Sequence, residues 1–389
     1  MTAWQTPQYD SYDIVIVGGA MMGSSTAFWL QKLGYTGRVL MVEMDPTYQA
    51  CSTAHTNSCI RQQFSSELNI RISQTTARFI KNIREEMGDE RVPDITFQSY
   101  GYMYLSDDPG FSATLKELAA LQRSLGAETE ILTREEIAGR YPFYNLDGIA
   151  AGSINTKDEG YWDGGTVFEW FRRLARERGT EYCTNRVTGF TMSGTQITHV
   201  ELASGDKIAC SQVLNAAGPR AALIADMAGI TLPVEPRKRF TYIFSAEEPL
   251  DRDLPLTIDP SGVHCRQDGP KTYLCGATPD DDPAVDPTDF AMHDDTWIEK
   301  AWPAIAHRIP AFERIKIVAE WAGHYAYNTL DQNAIMGTHP TAANLTFLNG
   351  FSGHGLQQSV PMGRGTAEWL MHGEYRTLDM SPFSIARVT

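Results

Sequence analysis

The first residues with recognisable chemistry form a glycine-rich turn, G-G-A-M-M-G, at residues 18–23. An apolar β-branched run precedes this turn and a helical pattern of small residues follows it, which is the setting of a dinucleotide-binding motif. Gly18 takes the position of the tight turn, and Gly23 takes the position where helix and strand pack closely. Ala20 replaces the glycine that lets the backbone approach the pyrophosphate, which is a departure from the motif. The N–H groups that begin the helix would face the phosphates.

An acidic residue stands where a ribose-binding carboxylate is expected. Glu43 ends a second apolar strand and lies 20 residues after Gly23. A carboxylate at that distance accepts hydrogen bonds from ribose hydroxyls and disfavours a 2′-phosphate, so the pattern predicts FAD or NAD rather than NADP. It does not separate FAD from NAD, and the alternative is a glycine-rich turn in an unrelated α/β protein with Glu43 solvated.

The elements that must position these residues predict an α/β fold. Residues 12–17 and 39–43 are short apolar runs typical of buried parallel strands, with a helix over about 22–34 between them. Residues 239–244 and 272–275 are β-rich and lie among Asp, Pro and Gly turns, which predicts an antiparallel or mixed sheet in a separate layer. Further helices are predicted around residues 69–87, 165–178, 294–309 and 363–372.

Composition narrows the class of protein. The chain has 389 residues and a net charge of −15, which disfavours nucleic acid or an anionic membrane surface as the main partner. Its six cysteines form no C-x-x-C pair or zinc-ligand spacing, so we expect reduced thiols and no metal site. No signal peptide, transit peptide or apolar run long enough to span a membrane is apparent, and we expect a cytoplasmic protein.

Two later segments decide the cofactor. W-A-G-H-Y-A-Y-N-T-L-D at 321–331 and N-G-F-S-G-H-G-L-Q-Q at 349–358, with the opening G-G-A-M-M-G-S-S, resemble the superfamily of D-amino-acid oxidase, glycine oxidase and sarcosine oxidase. Including the tail R-T-L-D-M-S-P-F at 376–383, the chain is most similar to the branch of the mitochondrial FAD-dependent oxidoreductase associated with complex I assembly. The resemblance therefore implies FAD.

The resemblance also implies the architecture. We expect a Rossmann-type, glutathione-reductase-like FAD-binding domain interleaved with a substrate domain built on a mixed, largely antiparallel β-sheet. The FAD-binding domain is predicted to be discontinuous, over residues 10–90, 148–225 and 318–380. The substrate domain is predicted over residues 91–147 and 226–317, with its sheet roofing the flavin.

Positions that match the family's cofactor contacts are carried over one by one. Gly353, His354 and Gly355 match the loop that lies against the isoalloxazine, where the N–H groups at a helix start stabilise charge on the ring. Ala217 and Gly218 match a strand end that passes close to FAD, and Val187 matches the position whose backbone meets adenine. The full predicted cofactor set is Gly18, Gly19, Ala20, Met22, Gly23, Glu43, Met44, Ser52, Thr53, His55, Ser58, Cys59, Ile60, Val187, Ala217, Gly218, Gly353, His354, Gly355 and Leu356.

The segment S-T-A-H-T-N-S-C-I-R, residues 52–61, carries most of the predicted chemistry. Ser52 and Thr53 can donate hydroxyl hydrogen bonds to the pyrophosphate. The resemblance implies that the residues at 58–60 line the flavin. It also implies that Arg61 holds the substrate carboxylate, which a guanidinium can grip bidentately. The alternative is that Arg61 pairs with a structural carboxylate or with FAD.

Two histidines match positions of covalent flavin attachment. His55 lies in an S-T-x-H setting that, in dimethylglycine-dehydrogenase-like relatives, carries a bond to the flavin 8-methyl group; the alternative is a neutral polar residue near the phosphates. His324 is a second candidate, because it falls where monomeric sarcosine oxidases place their flavin-linked cysteine. The branch that the chain most resembles lacks the His55 equivalent.

The predicted reaction is oxidation of an amine or amino acid, either N-substituted or of the D configuration, by hydride transfer from the α-carbon to flavin N5. The resulting imine would hydrolyse. The proposed catalytic residues are Arg61, His354 and Gln357. Leu274 and Cys275 replace the oxygen-activating lysine of monomeric sarcosine oxidases, and Gln357 replaces a second carboxylate-binding cation. Both changes favour a dehydrogenase over an oxidase, with a protein as a possible electron acceptor.

Two other classes of function remain open at this point. The first is a flavoprotein assembly or electron-transfer factor, whose main role is protein binding. The second is an NAD-dependent dehydrogenase, which a yellow purified protein would exclude.

Overall fold

The computed structural model describes residues 3–293 and 295–388. Within these residues the strands are β1 Ser11–Val17, β2 Val39–Glu43, β3 Cys59–Ile60, β4 Tyr102–Ser106, β5 Glu130–Thr133, β6 Ala151–Asn155, β7 Gly160–Tyr161, β8 Glu181–Thr184, β9 Val187–Ser193, β10 Gln196–Leu202, β11 Lys207–Asn215, β12 Val234–Ala246, β13 Leu256–Ile258, β14 His264–Gln267, β15 Thr272–Ala277, β16 Ile315–Asn328, β17 Ile335–His339 and β18 Ala342–Asn349. The α-helices are α1 Met21–Lys32, α2 Glu67–Lys81, α3 Ile83–Met87, α4 Pro109–Ser124, α5 Arg134–Arg140, α6 Gly164–Glu177, α7 Ala221–Asp226, α8 Trp302–Arg308 and α9 Gly355–His372.

The first of two large sheets carries the glycine-rich turn. Its main strand order is β17-β18-β11-β1-β2-β8, and the strands from β18 to β8 pair in parallel. An antiparallel β9–β10 hairpin adds to β11. The strands β1 and β2 are buried apolar runs because α1, α6 and α9 cover one face of the sheet and α7 lies against the other.

Helix α1 packs closely against α9, and this contact fixes the position and direction of α1. Ser25 donates from its hydroxyl to the carbonyl of Ser359 at 2.8 Å. A Cβ on Gly363 would lie 2.1 Å from the Ser25 hydroxyl oxygen, so only glycine fits there. Small residues on both helices therefore hold the N-terminal end of α1 against the cavity.

The second sheet has the strand order β16-β12-β15-β14-β13-β4-β6-β5. All of its pairs are antiparallel except β13 with β4, so it is mixed and largely antiparallel. Its own apolar cluster includes Phe240, Tyr242 and Phe244 of β12. None of the helices in the described part of the chain combines the length and the apolar composition of a membrane span.

Several predicted element bounds differ from the structure. The helix predicted from Gly363 begins at Gly355, because the packing against α1 overrides Pro361 and the nearby glycines. The helix predicted over 69–87 is divided at Asn82, whose side chain donates to the Arg78 carbonyl. In the predicted helix 294–309, Asp294 lies outside the described residues, and a π-helix over Thr296–Ala301 precedes α8.

The predicted division into domains stays a prediction, and strand pairing suggests moving two strands. The predicted FAD-binding ranges 148–225 and 318–380 contain β6 and most of β16, respectively. However, β6 pairs with β4 and β5, and β16 pairs with β12, all in the second sheet. We propose that β6 and β16 belong to the substrate domain, since a strand belongs with the sheet that satisfies its backbone groups.

Candidate functional site

The glycine-rich turn between β1 and α1 has a backbone that side chains would obstruct. Gly18 has φ +101°, and a Cβ there would lie 2.5 Å from the carbonyl oxygen of Ala216. A Cβ on Gly23 would lie 1.9 Å from the carbonyl oxygen of Gly18. Ala20, just before α1, offers no side-chain acceptor to the first turn of the helix. The turn is therefore shaped for a ligand that binds at backbone N–H groups.

Glu43 closes the turn at the end of β2. Its Oε2 accepts a hydrogen bond from the N–H of Gly19 at 2.7 Å, and its Oε1 accepts one from the N–H of Asp45 at 2.8 Å. Burial raises the pKa of Glu43, whereas these two backbone donors act to lower it. Each carboxylate oxygen keeps a second lone pair, so ribose hydroxyls can still donate to it.

A cavity of about 1190 Å³ runs from this turn to the underside of the second sheet. That volume exceeds the roughly 300–1,000 Å³ typical of small-ligand pockets, so the cavity has room for a dinucleotide and a substrate together. Most of the predicted cofactor residues line it: Gly18, Ala20, Met22, Glu43, Met44, Ser52, Thr53, His55, Ser58, Cys59, Val187, Ala217, Gly218, Gly353, His354, Gly355 and Leu356.

Three residues of the predicted cofactor set do not line the cavity. Gly19 supports the site indirectly through its bond to Glu43. Gly23 is placed by its contact with Gly18. Ile60 is fully buried in the apolar cluster under the first sheet. All three therefore shape the wall from behind rather than face a ligand.

Residues 52–61 form the cavity wall between the two sheets, and hydrogen bonds tie them to the second sheet. The Ser52 hydroxyl donates to the carbonyl of His324 in β16 at 2.6 Å. The Asn57 amide donates to Nε2 of His264 in β14 at 3.0 Å, and its oxygen accepts from Thr241 in β12 at 3.1 Å. These bonds fix the segment at the junction of the two layers.

The guanidinium of Arg61 lies in the cavity wall among three aromatic rings. Its Cζ lies 3.9 Å from the ring centroid of Phe64, 5.7 Å from that of Tyr102 and 5.8 Å from that of Tyr104. It donates to the carbonyl of Gln63 and, at 3.0 Å, to Nε2 of His354. The remaining N–H groups of the guanidinium stay available for a carboxylate.

No carboxylate of the described residues forms an ion pair with Arg61. The buried carboxyl of Glu159 interacts electrostatically with Arg61. It accepts hydrogen bonds from Gln63 Nε2 at 2.9 Å and from the N–H of Gln62 at 2.6 Å. Burial raises the pKa of Glu159 to about 8, although those hydrogen bonds act to lower it. The charge of Arg61 also acts to lower this pKa, but the two groups form no ion pair, so the guanidinium keeps no direct carboxylate partner.

His354 and Gln357 meet Arg61 from the start of α9. Because a guanidinium only donates, Nε2 of His354 accepts and the ring proton lies on Nδ1. Burial and the charge of Arg61 lower the pKa of His354 to about 3, so the ring is neutral. The Gln357 oxygen accepts from the backbone N–H of Arg61 at 2.9 Å. That bond fixes the orientation of the Gln357 amide.

The two candidate attachment histidines flank Phe290, with ring centroids 5.2 Å (His55) and 4.4 Å (His324) from the Phe290 centroid. Nδ1 of His55 donates to the carbonyl of Cys51 at 2.9 Å, which leaves Nε2 as the nitrogen with the lone pair. Nε2 of His324 donates to the carbonyl of Asp289 at 2.9 Å, which leaves Nδ1 unprotonated. Both rings line the cavity.

The other basic residues near the second sheet already have acidic partners. Arg239 makes a bidentate pair with Asp282, at 2.7 and 2.9 Å. Arg237 pairs with Glu235 at 2.9 Å, and Lys238 pairs with Asp289 at 2.7 Å. Arg239 lines the cavity, but its charge is neutralised. These three residues are therefore weaker candidates for a carboxylate site than Arg61.

Sequence reasoning missed several cavity residues because distant strands bring them in. The predicted set of site residues does not include Asn57, although it lies inside the segment 52–61, nor does it include Thr241 or Arg220. Their presence depends on strand register and on the loop after β11, which short motifs do not encode. Other lining residues that no motif indicated are Tyr102, Arg186, Leu223, Met227, Leu256 and Ile258.

Comparisons with known proteins agree with this geometry. The family model DAO, described as FAD dependent oxidoreductase, matches residues 13–369. FAD-dependent oxidoreductase domain-containing protein 1 of Xenopus laevis is 38% identical over 96% of this chain and 82% of that protein. Mitochondrial sarcosine dehydrogenase of Homo sapiens is 23% identical over 98% of this chain and 42% of that protein.

Among solved structures, the L-proline dehydrogenase from P. horikoshii superimposes with a TM-score of 0.84 at 27% identity, over 97% of this chain and 98% of that chain. The predicted family resemblance and fold class are thereby confirmed. The same comparisons agree with an FAD site in this cavity, because the glycine-rich turn and Glu43 suit a dinucleotide.

Replacing Glu43 with Gln should weaken FAD binding. An amide offers one acceptor oxygen in place of two, and its NH₂ group would face a backbone N–H donor. Loss of charge-assisted hydrogen bonds worth about 1–3 kcal/mol corresponds to roughly 5- to 150-fold in the dissociation constant. Release of FAD, followed by its fluorescence after dilution, measures the change.

Glu181→Gln is the matched control, because Glu181 binds the Tyr12 hydroxyl and the Gln8 N–H outside the cavity. It removes the same charge. If Glu43→Gln retains FAD as well as the wild type does, the ribose assignment is wrong.

Proposed function

The chain belongs to the DAO family of FAD-dependent oxidoreductases, and we propose that it oxidises α-amino acids at the carbon–nitrogen bond beside the carboxylate. The substrates we favour are secondary or N-substituted amino acids, or D-amino acids. The observation that carries this proposal is Arg61, a guanidinium in the wall of the cavity that forms no ion pair with the described carboxylates.

The residues that would hold FAD divide along the cavity. The turn 18–23 and Glu43 would take the pyrophosphate and the adenosine ribose, with Val187 and Met44 at the adenine. Ser58, Cys59 and the loop 353–355 would border the flavin ring. Bound FAD would supply the oxidising chemistry by accepting a hydride equivalent from the substrate carbon.

The protein's own contribution at the substrate end is to orient a carboxylate. The Arg61 fork would bind both carboxylate oxygens, and Phe64 behind it would keep the guanidinium in place. His354 would hold one guanidinium nitrogen from the other side. Fixing the carboxylate would also fix the neighbouring α-carbon, which is the reacting atom.

The same end of the cavity disfavours a charged amine. The acidic residues of the lining are Glu43, Asp45, Asp226 and Asp286. Glu43 and Asp45 lie in the segment that we assign to the nucleotide, and none of the four forms an ion pair with Arg61. Burial lowers the pKa of His264 to about 4, and His354 is also neutral. The described cavity wall offers an ammonium group no acidic partner at Arg61, so the substrate would bind with its amine unprotonated.

We also propose that the physiological oxidant is not oxygen. Leu274 and Cys275, at the position of the oxygen-activating lysine in monomeric sarcosine oxidases, are both fully buried. No lysine of the described residues lines the cavity. The protein would therefore pass electrons to an acceptor protein. The cytoplasmic location stays a prediction.

Acid precipitation tests the hypothesis that the flavin is covalently attached to His55. It requires that the wild-type pellet keep its yellow colour and that the His55→Ala pellet lose it. His324→Ala tests the second candidate in the same way. Colour that enters the supernatant for all three proteins would exclude both histidines.

The reduced enzyme should react faster with an artificial electron-accepting dye than with oxygen. The physical reason is that no ammonium group lies in the described cavity wall to stabilise developing negative charge on oxygen. Stopped-flow reoxidation with each acceptor at equal concentration gives the two rates. Peroxide formation as fast as dye reduction would contradict the proposal.

Arg61→Ala should lower kcat/KM for amino acids much more than for amines that lack the carboxylate. Loss of a buried charged hydrogen bond costs about 2–5 kcal/mol, or roughly 30-fold to several-thousand-fold. Arg61→Lys should recover part of the loss, because an ammonium is a point charge without the fork. Dye-linked rates for matched pairs, such as proline with pyrrolidine and sarcosine with dimethylamine, measure the difference.

Arg239→Ala is the matched control for Arg61→Ala. It also removes a cavity-lining guanidinium, but one that Asp282 neutralises, so carboxylate selectivity should persist. Both variants must retain FAD at wild-type occupancy. If Arg61→Ala handles carboxylate substrates as well as the wild type does, the carboxylate binds elsewhere.

A further inference from the structure

Arg220 lines the nucleotide end of the cavity and forms no ion pair within the described residues. It ends the short 3-10 helix that follows β11, lines the cavity and is partly buried. Its Nη1 donates to the carbonyl of Ala50 at 3.4 Å, and its Nη2 donates to the carbonyl of Pro287 at 2.8 Å. Two neutral carbonyls from separate segments therefore hold the guanidinium in place.

The charge of Arg220 is not neutralised by an ion pair anywhere in residues 3–293 and 295–388. Asp286, beside the partner carbonyl of Pro287, interacts with the charge of Arg220 at longer range, but its direct hydrogen bonds come from the N–H and the hydroxyl of Thr288. Arg237, Arg239 and Lys238, by contrast, all have carboxylate partners. A partly buried guanidinium without a direct ion pair is stabilised when a ligand supplies an anion that it can contact.

The chain segment that carries Arg220 lies beside the phosphate-binding turn. A Cβ on Gly18 would lie 3.1 Å from Cα of Ala217, so the strand end that carries Arg220 abuts the turn. The Ala50 segment continues to Thr53, whose hydroxyl accepts from the N–H of Met21 in the first turn of α1 at 3.3 Å. The segment that carries Arg220 and the Ala50 segment thus both reach the glycine-rich turn or the start of α1.

That start has no side-chain cation of its own. The turn 18–23 is uncharged, and the basic residue of α1, Lys32, lies in its last turn. The helix N-terminus contributes only about half a positive charge, whereas a pyrophosphate diester carries two negative charges. A guanidinium across the cavity would supply the missing charge and a fork that matches phosphate oxygens.

We propose that Arg220 binds the pyrophosphate of FAD. The proposal rests on FAD binding in this cavity and is independent of the substrate. Its ligand chemistry is a nucleoside diphosphate ester. Arg186, also in the lining, is exposed and would not replace it.

The first test compares FAD release from wild-type holoenzyme, Arg220→Ala and Arg220→Lys after dilution. Arg220→Ala should release FAD about 10- to 100-fold faster, and Arg220→Lys should fall between the two. Added salt should accelerate release from the wild type more than from Arg220→Ala, since one screened contact is gone. If FAD does not leave the wild type, the fraction of purified protein that carries FAD replaces the release rate.

The second test separates a phosphate contact from a general loss of structure. Full-length chain stripped of FAD, and shown to rebind it, is titrated with ADP and with adenosine. Arg220→Ala should weaken ADP about 10-fold or more and leave adenosine unchanged. Arg237→Ala is the charge-matched control outside the cavity lining, and it should bind both ligands as the wild type does.

Equal weakening of ADP and adenosine would overturn the proposal, because it would mean that Arg220 only supports the fold. Unchanged FAD release and unchanged ADP binding would also overturn it. Binding is measured without turnover, so a protein that binds ADP as expected and oxidises no amino acid would refute the proposed function alone.

Discussion

The hydrogen bonds that tie residues 52–61 to both sheets create the cavity. Asn57 bonds to His264 and Thr241 of the second sheet, while the backbone N–H of Arg61 donates to Gln357 of α9, which packs on the first sheet. Thr53 also accepts from the first turn of α1. One short segment therefore fixes the distance between the phosphate turn and the proposed substrate end. Changes that free this segment should disturb both ends together.

Electrostatics divide the cavity into two parts. At one end, Arg61 is surrounded by aromatic rings, a neutral histidine and a glutamic acid whose burial raises its pKa to about 8. At the other end, Arg220 lines the cavity, and the start of α1 offers backbone donors that favour an anion. Each end thus presents a guanidinium that forms no ion pair with the described residues. This arrangement suits a ligand pair with a diphosphate at one end and a carboxylate at the other.

The sequence allowed prediction of the β1–α1–β2 unit, because buried parallel strands and a glycine turn leave strong local patterns. It also indicated most of the cavity lining through motifs that resemble a known family. The start of α9 could not be predicted, since Gly355 and Pro361 are locally unfavourable and only packing against α1 stabilises them. Residues such as Asn57 and Arg220 were missed because their roles depend on contacts between segments far apart in the chain, for which the residues carry no local signal.

The most direct measurement is an anaerobic titration of the FAD-loaded protein with amino acids and with the corresponding amines that lack a carboxylate. We predict that at least one secondary, N-substituted or D-amino acid bleaches the visible flavin band, and that its decarboxylated counterpart does so far less. The account would be contradicted if dithionite reduced the flavin fully while no amino acid did. That result would instead favour a flavoprotein whose role is protein binding or electron transfer.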